Sequence, residues 1–252
     1  MTITVAGAPL IGYALASVRL VAWLVIVPPF SSNAVPAIAK SLVALALAFA
    51  VAPTIADGAV PTDAVGLVLG VLQEALIGVS MGFVTYLIFA AVQAAGDLID
   101  VFGGFSLAAA FDPMSFNMNS VFGKLYQMLA TMLLFTSGAH LLIFGGLLKS
   151  FDRLPVGATI DLLDVTQTIK IAFGLFFTSA VQIALPLIGV LFIADLGLAL
   201  LTRVAPQLNA IGIMFPAKIG LTLLIVGMSF PVLPKAMDHL VEMAVQAMGA
   251  MT

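Results

Sequence analysis

An all-α fold that crosses a membrane several times is the class this sequence predicts, and three observations predict it. Hydrophobic residues make up 62% of the 252-residue chain and charged residues only 8%, with a mean hydropathy of +1.22. Soluble domains carry about a quarter charged residues. Uncharged runs over 75–96, 125–148 and 171–194 each meet the ~20 apolar residues that a straight helical span requires. No polar stretch is long enough for a separate soluble domain, so residues 1–252 are expected to form a single integral membrane domain.

Composition also excludes chemistry. The chain has no cysteine and a net charge of −3, which removes a disulfide framework, thiolate metal sites and a cysteine nucleophile. It offers no basic patch for nucleic acid, and no nucleic-acid partner is expected. The amino terminus lacks the basic segment of a cleaved signal peptide. Its first cation, Arg19, lies inside an apolar run, so this segment reads as a retained first helix.

About six apolar helical blocks follow in order: 8–28, 38–56, 66–97, 121–149, 168–202 and 210–234. The first ends in Pro28-Pro29 and the fifth contains Pro186. The runs 41–56 and 219–234 are short and bounded by prolines. Short, kinked hydrophobic segments that carry charges suggest helices packed on protein rather than lipid. Cations are balanced on the two sides expected for simple spans: Lys149, Arg153, Lys170 and Lys235 against Lys40, Lys124, Arg203 and Lys218. The positive-inside rule therefore assigns no orientation. The connection 149–168 reads as a surface turn with a short helix.

Polar groups among these blocks are the candidate functional residues. Gly66, Gly70, Glu74, Gly78 and Gly82 recur at every fourth position. They form one stripe of small residues with a carboxylate in its middle. The stripe serves close helix packing with Glu74 neutralised by a neighbour, or it presents Glu74 to a translocation or assembly surface. Gln93 and Asp97 share a face and Asp100 follows within a turn; they read as a helix end at the membrane boundary. Phe105, Phe111, Met114, Phe116 and Met118 surround Asp112-Pro113. Flexible Met and bulky Phe fill irregular gaps, as a loop on a bundle core or as a deformable plug.

The stretch 195–218 carries Asp195, Arg203, Gln207, Asn209 and Lys218 between apolar flanks. In lipid each of these needs a protein partner or a wet cavity. Asp195 and Arg203, two turns apart, suit a buried pair; Arg203, Gln207 and Lys218 equally suit an anion. Ser137 and His140 stand one turn apart but lack an orienting third group, so catalysis is not expected from them. No catalytic residue, metal site or cofactor is assigned.

Several of these motifs occur together in order. They are Arg19, Pro36–Lys40, Glu74–Gly82, Gln93–Asp100, Gly104–Pro113, Gly138–Leu141, Ser150–Gly157 and Asp195–Asn209. Taken together, over nearly the whole length, the chain resembles the FliR/SctT export-gate family of type III secretion systems. The absence of an Arg-Gly pair in the loop around Asp112-Pro113 favours its flagellar branch. The resemblance implies one copy completing a helical assembly with FliP and FliQ, in a fold like a FliP joined to a FliQ, with FlhB and FlhA nearby. It implies a multi-pass protein of the bacterial inner membrane at the flagellar basal body, passing unfolded flagellar subunits. It further implies that the 105–120 loop plugs the pore. Arg19, Lys40, Glu74, Gln93, Asp97, Asp195, Arg203, Gln207, Asn209 and Lys218 would then make contacts between helices or subunits. The alternative is a secondary transporter of a small anion, using broken helices around Arg203 and Lys218.

Overall fold

The computed structural model describes residues 7–32, 35–55, 63–106, 120–158, 162–205 and 210–250. Among them there is no strand. The helices are α1 (Gly7–Ile26), α2 (Ala37–Ile55), α3 (Ala64–Gly103), α4 (Val121–Thr136) and α5 (Ala139–Arg153). They continue with α6 (Leu162–Val204), α7 (Ala210–Ser229), a single 3-10 turn (Phe230–Val232) and α8 (Leu233–Ala250).

Local sequence explains where these helices begin and end. Ser120 caps α4, its Oγ accepting from the Gly123 amide at 2.8 Å, which satisfies one of the orphan donors of a first turn. α3 ends at Gly103-Gly104, where Gly104 takes φ +85°, the left-handed conformation that stops a helix at little cost to glycine. Arg153 lies in the last turn of α5 and Pro155 follows. Asp164 and Arg203 occupy the first and last turns of α6, each sign facing the helix end whose dipole it complements.

Among the described residues, four helical segments are long and apolar enough to cross a membrane: Pro9–Ile26, Ala64–Gly103, Leu163–Val204 and Met214–Ala250. A fifth arises if the broken pair α4 and α5 counts as one span. The apolar block expected over 121–149 is thus two helices. Gly138 takes φ +75° and Ser137 closes α4, its amide donating to the Leu133 carbonyl. The block at 38–56 forms α2, whose apolar stretch Ala37–Ala52 is shorter than a full span. The blocks at 66–97 and 168–202 extend to 40 and 43 residues. At 1.5 Å per residue they measure about 60 and 65 Å, twice the ~30 Å hydrocarbon core of a bilayer. The last block carries beyond 234 into α8.

The chain condenses as two compact units interleaved along the sequence. The first comprises Met1–Ile88, Gly138–Gly174 and Val241–Thr252; the second comprises Phe89–Ser137 and Leu175–Leu240. In the first unit, α2 packs on α1 and α5, and the Tyr13 hydroxyl donates to the Leu45 carbonyl at 2.7 Å. Its core includes Leu20, Trp23, Met81, Leu147, Phe151 and Met248. Trp23, Phe30 and Phe144 cluster with ring centroids 5.4–6.3 Å apart. In the second unit, Phe89, Ile99, Tyr126, Leu134, Leu191 and Met237 are buried. There α3 and α4 approach at Gly96, where an added Cβ would collide with the Phe122 carbonyl.

Candidate functional site

Each unit carries its own cluster of polar groups. In the first unit the cluster is centred on Arg19, which is 0% exposed. Its Nε donates to Glu74 Oε2 at 2.6 Å, Nη1 to Ser150 Oγ at 3.3 Å and Nη2 to the Leu154 carbonyl at 3.0 Å. The guanidinium also lies 4.1 Å from the centre of the Phe151 ring, a cation–π arrangement. Glu74 uses its second oxygen to accept from the Gly157 amide at 3.4 Å. Gln73, one residue earlier, donates to the Ala158 carbonyl. A guanidinium offers five donors in a planar fork. That geometry lets one side chain join α1, α3 and the turn after α5.

Close approach of α1 to α3 makes this possible. A Cβ on Gly78 would collide with the Arg19 carbonyl, and one on Gly82 would press 3.3 Å from the Trp23 carbonyl and Ile26 Cβ. Gly70 is buried and Gly66 half-buried on the same helix. The charged neighbour of Glu74 is Arg19, and within this chain the pair is sealed from solvent. The turn after α5 differs from its sequence reading as a surface turn. Leu154, Gly157 and Ala158 lend it backbone groups that dock on the Arg19–Glu74 pair, and Val156 is buried.

In the second unit, Asp100 is buried and accepts from Ser120 Oγ and from the Phe122 amide, at 3.2 Å to its nearer oxygen. Asp97 lies against Gly123, where a Cβ would collide with the Asp97 carboxylate. These carboxylates stand in the last two turns of α3, which ends at Gly103. They receive the amino-terminal end of α4, whose free amides and dipole favour negative charge. Gln93, Asp97, Asp100, Phe105, Lys124 and Gln127 line a cleft of about 500 Å³ there. Phe105 packs edge-on against Phe122, with ring centroids 4.9 Å apart.

The remaining expected contacts divide. Lys218 Nζ bonds Asp195 Oδ2 at 2.8 Å across α7 and α6. Gly104 lies beneath the Lys218 stem, and the Thr222 hydroxyl lies 3.4 Å from the Gly103 carbonyl. The Asp195–Arg203 pairing considered from sequence is replaced by Asp195–Lys218, and Arg203 is exposed. The physical reason is chain reversal: α7 runs back along α6 and brings Lys218 level with Asp195, whereas Arg203 lies two turns further along α6. Lys40 donates to the Ser32 carbonyl at 3.3 Å, a local contact in the turn before α2. Phe111, Asp112, Pro113, Met114, Phe116 and Met118 of the expected plug lie outside the described residues, as do Gln207 and Asn209. Among the described residues, no group of His, Cys, Asp and Glu is arranged to hold a metal ion.

Sequence reasoning missed Ser150 and the backbone of residues 154–158 as partners of the buried pair. The signal was present, because Ser150–Gly157 stands among the ordered motifs. Nothing in a one-dimensional pattern, however, says which buried charge a turn will meet. The anion-transporter alternative finds no support in this geometry: Lys218 is committed to Asp195.

Residues 10–244 match the family model for bacterial export proteins, family 1. The chain is 31% identical to the flagellar biosynthetic protein FliR of Escherichia coli (strain K12), over 88% of its own length and 85% of the relative's. It is also 31% identical to FliR of Aquifex aeolicus (strain VF5), over 88% of its length and 86% of that protein. The Yop proteins translocation protein T of Yersinia pestis is 29% identical over 80% of this chain and 78% of its own. With the motifs in order along the chain, a helical apolar architecture and a match over nearly all of it, the protein belongs to the bacterial export proteins of family 1, the family of FliR and its secretion-system counterparts.

Proposed function

We propose that this chain is the FliR-type subunit of a flagellar export gate, completing a helical assembly with FliP and FliQ beside FlhB and FlhA in the bacterial inner membrane at the flagellar basal body. The chain is a subunit of a type III secretion export apparatus; its partners and its part in the pore are the proposal. The observation that carries it is the family match across residues 10–244. The exposed length of α6 supports the need for partners. In the 18-residue apolar window of Leu163–Val204 only 17% of residues are buried within the chain, and along the helix Phe177, Leu185, Ile193 and Leu200 are exposed. A bilayer covers ~30 Å of a helix about 65 Å long, so neighbouring subunits would cover the rest.

In this reading unfolded flagellar proteins pass through the assembly, and residues 105–120 form its plug. Both flanks of that segment are anchored, Phe105 on Phe122 and Ser120 on Asp100. A Phe- and Met-rich segment held at both ends seals by packing and yields without specific chemistry. Arg19 and Glu74 fix helix register within the subunit, and exposed Arg203 is available to a neighbour. The role requires no catalytic residue and no cofactor.

Native mass spectrometry of the chain co-expressed with FliP and FliQ tests the assembly. One copy of this chain in a larger hetero-complex is expected. A stable monomer that ignores those partners overturns the reading. Deleting Phe111–Phe116 tests the plug separately: assembly should persist while the membrane leaks small ions. Unchanged conductance removes the plug assignment.

A further inference from the structure

The second unit contains a cavity of about 550 Å³ between α6 and the break that joins α7 to α8. Its lining is mostly apolar, and its polar groups are unevenly placed. The antiparallel register is set by the Asp195–Lys218 ion pair. Moving down α6 from Asp195 towards its amino end therefore matches moving up α7 and α8 from Lys218. By this count Val190 on α6 falls near the level of Ile225 on α7, Ser179 near the level of Lys235 on α8, with Gln182 about a turn short of it and His239 about a turn beyond. All six line the cavity. One end is thus apolar, and the other gathers two neutral hydrogen-bonding groups, a lysine and a histidine. Near its middle the Tyr126 and Ser229 hydroxyls bond to each other at 2.9 Å and Ser229 Oγ also bonds the Val226 carbonyl, whereas Pro186, which has no amide, leaves the Gln182 carbonyl without its helical donor, on the polar side of the cavity.

The dimensions match a particular guest. Ser179 to Val190 spans eleven helical steps, about 16 Å, close to half of the ~30 Å hydrocarbon core and so to the depth of one leaflet. A polar, cationic end one leaflet away from an apolar end has the pattern of a single amphiphile. A peptide helix would expose polar backbone ends and side chains at both ends of the groove. We propose that this cavity is a binding site for an anionic phospholipid, with its phosphate at Lys235 and His239 and an acyl chain running along Pro186 to Val190 and Ile225. Basic pockets between membrane helices favour anionic headgroups for this electrostatic reason, and the apolar wall supplies the area term that holds the chain.

Native mass spectrometry of the chain in its complex, titrated with phosphatidylglycerol and separately with phosphatidylcholine, tests the site. Phosphatidylglycerol should remain bound under activation that strips phosphatidylcholine. Lys235→Gln should weaken that retention about fivefold without changing complex recovery. Val190→Trp, which fills the apolar end, should abolish it for both lipids. If Val190→Trp prevents assembly, Lys235→Gln alone decides. Equal retention of the two lipids, or retention indifferent to Lys235→Gln, overturns the proposal. A photoreactive residue at Val190 gives a second readout. Cross-linking to lipid supports the site. Cross-linking to a neighbouring subunit shows that protein covers the groove and also overturns it. No result that overturns this site argues against assembly, so failure here leaves the export-gate reading standing.

Discussion

Arg19 on α1 donates to Glu74 on α3 at 2.6 Å, and neither side chain reaches solvent: 0% of the Arg19 side chain and 2% of that of Glu74 are exposed. Desolvating two charges is expensive, and their attraction repays it only when the remaining donors and acceptors are also satisfied. Here they are met by Ser150, Leu154 and Gly157. The arrangement therefore specifies which turn lies against which pair of helices, more than it adds net stability.

Removing one partner leaves the other buried and unpaired. Glu74→Ala is expected to lower stability by about 3–5 kcal/mol, read as loss of folded protein in a detergent melt. Arg19→Leu with Glu74→Leu should be milder than the sum of the two single changes. Additive losses would mean the two groups are not coupled.

Gly78 should tolerate no side chain, because its Cβ would meet the Arg19 carbonyl and lie 2.9 Å from Ala22 Cβ. Gly78→Ala is expected to destabilise by about 1–3 kcal/mol. Gly145, with nothing within 4 Å of its Cβ position, is the control. Gly145→Ala should be neutral or stabilising by up to ~1 kcal/mol through helix propensity. Equal effects of the two substitutions in thermal melts would refute close packing at Gly78.

Ser120 and Asp100 together hold the start of α4. Ser120→Ala should cost about 1 kcal/mol, as for other lost helix caps, and speed amide hydrogen exchange at residues 121–124. Asp100→Ala removes the acceptor for the Phe122 amide as well and should have the larger effect. Unaltered exchange in both variants would show that the cap does not hold this helix end.

Charge reversal separates the Asp195–Lys218 pair from Arg203. Lys218→Asp should reduce recovery of folded protein, and adding Asp195→Lys should restore part of it. The pair is partly exposed, with 18% of the Lys218 side chain and 37% of that of Asp195 accessible, so the coupling is expected to be modest, up to about 1 kcal/mol. Arg203→Ala should leave the fold of the isolated chain intact; a loss matching that of Lys218→Asp would mean Arg203 supports the fold. Any effect of Arg203→Ala should appear in complex recovery instead.

Some of this was legible in one dimension. Composition and uncharged runs are sums over many residues, so they survive ignorance of any contact, and they determined the all-helical membrane class. The four-residue recurrence of Gly66, Gly70, Glu74, Gly78 and Gly82 announced a packing face because helix periodicity places those positions on one side. The motif order pointed to the family. The break at Gly138 was missed because an apolar run hides a single left-handed residue, and the extension of α3 past Asp97 was missed because charges usually signal a helix end.

The sequence by itself determined that this protein is an α-helical membrane subunit of an export family, that Glu74 sits amid small residues, and that the 195–218 stretch carries charges needing partners. Only the tertiary structure decided which partners those are. Arg19 met Glu74, 55 positions further along the chain, and Lys218 rather than Arg203 met Asp195. The physical reason is that burying a charge demands a counter-charge within hydrogen-bond reach. Periodicity says which face a residue occupies, but chain reversal and helix approach decide which two faces meet.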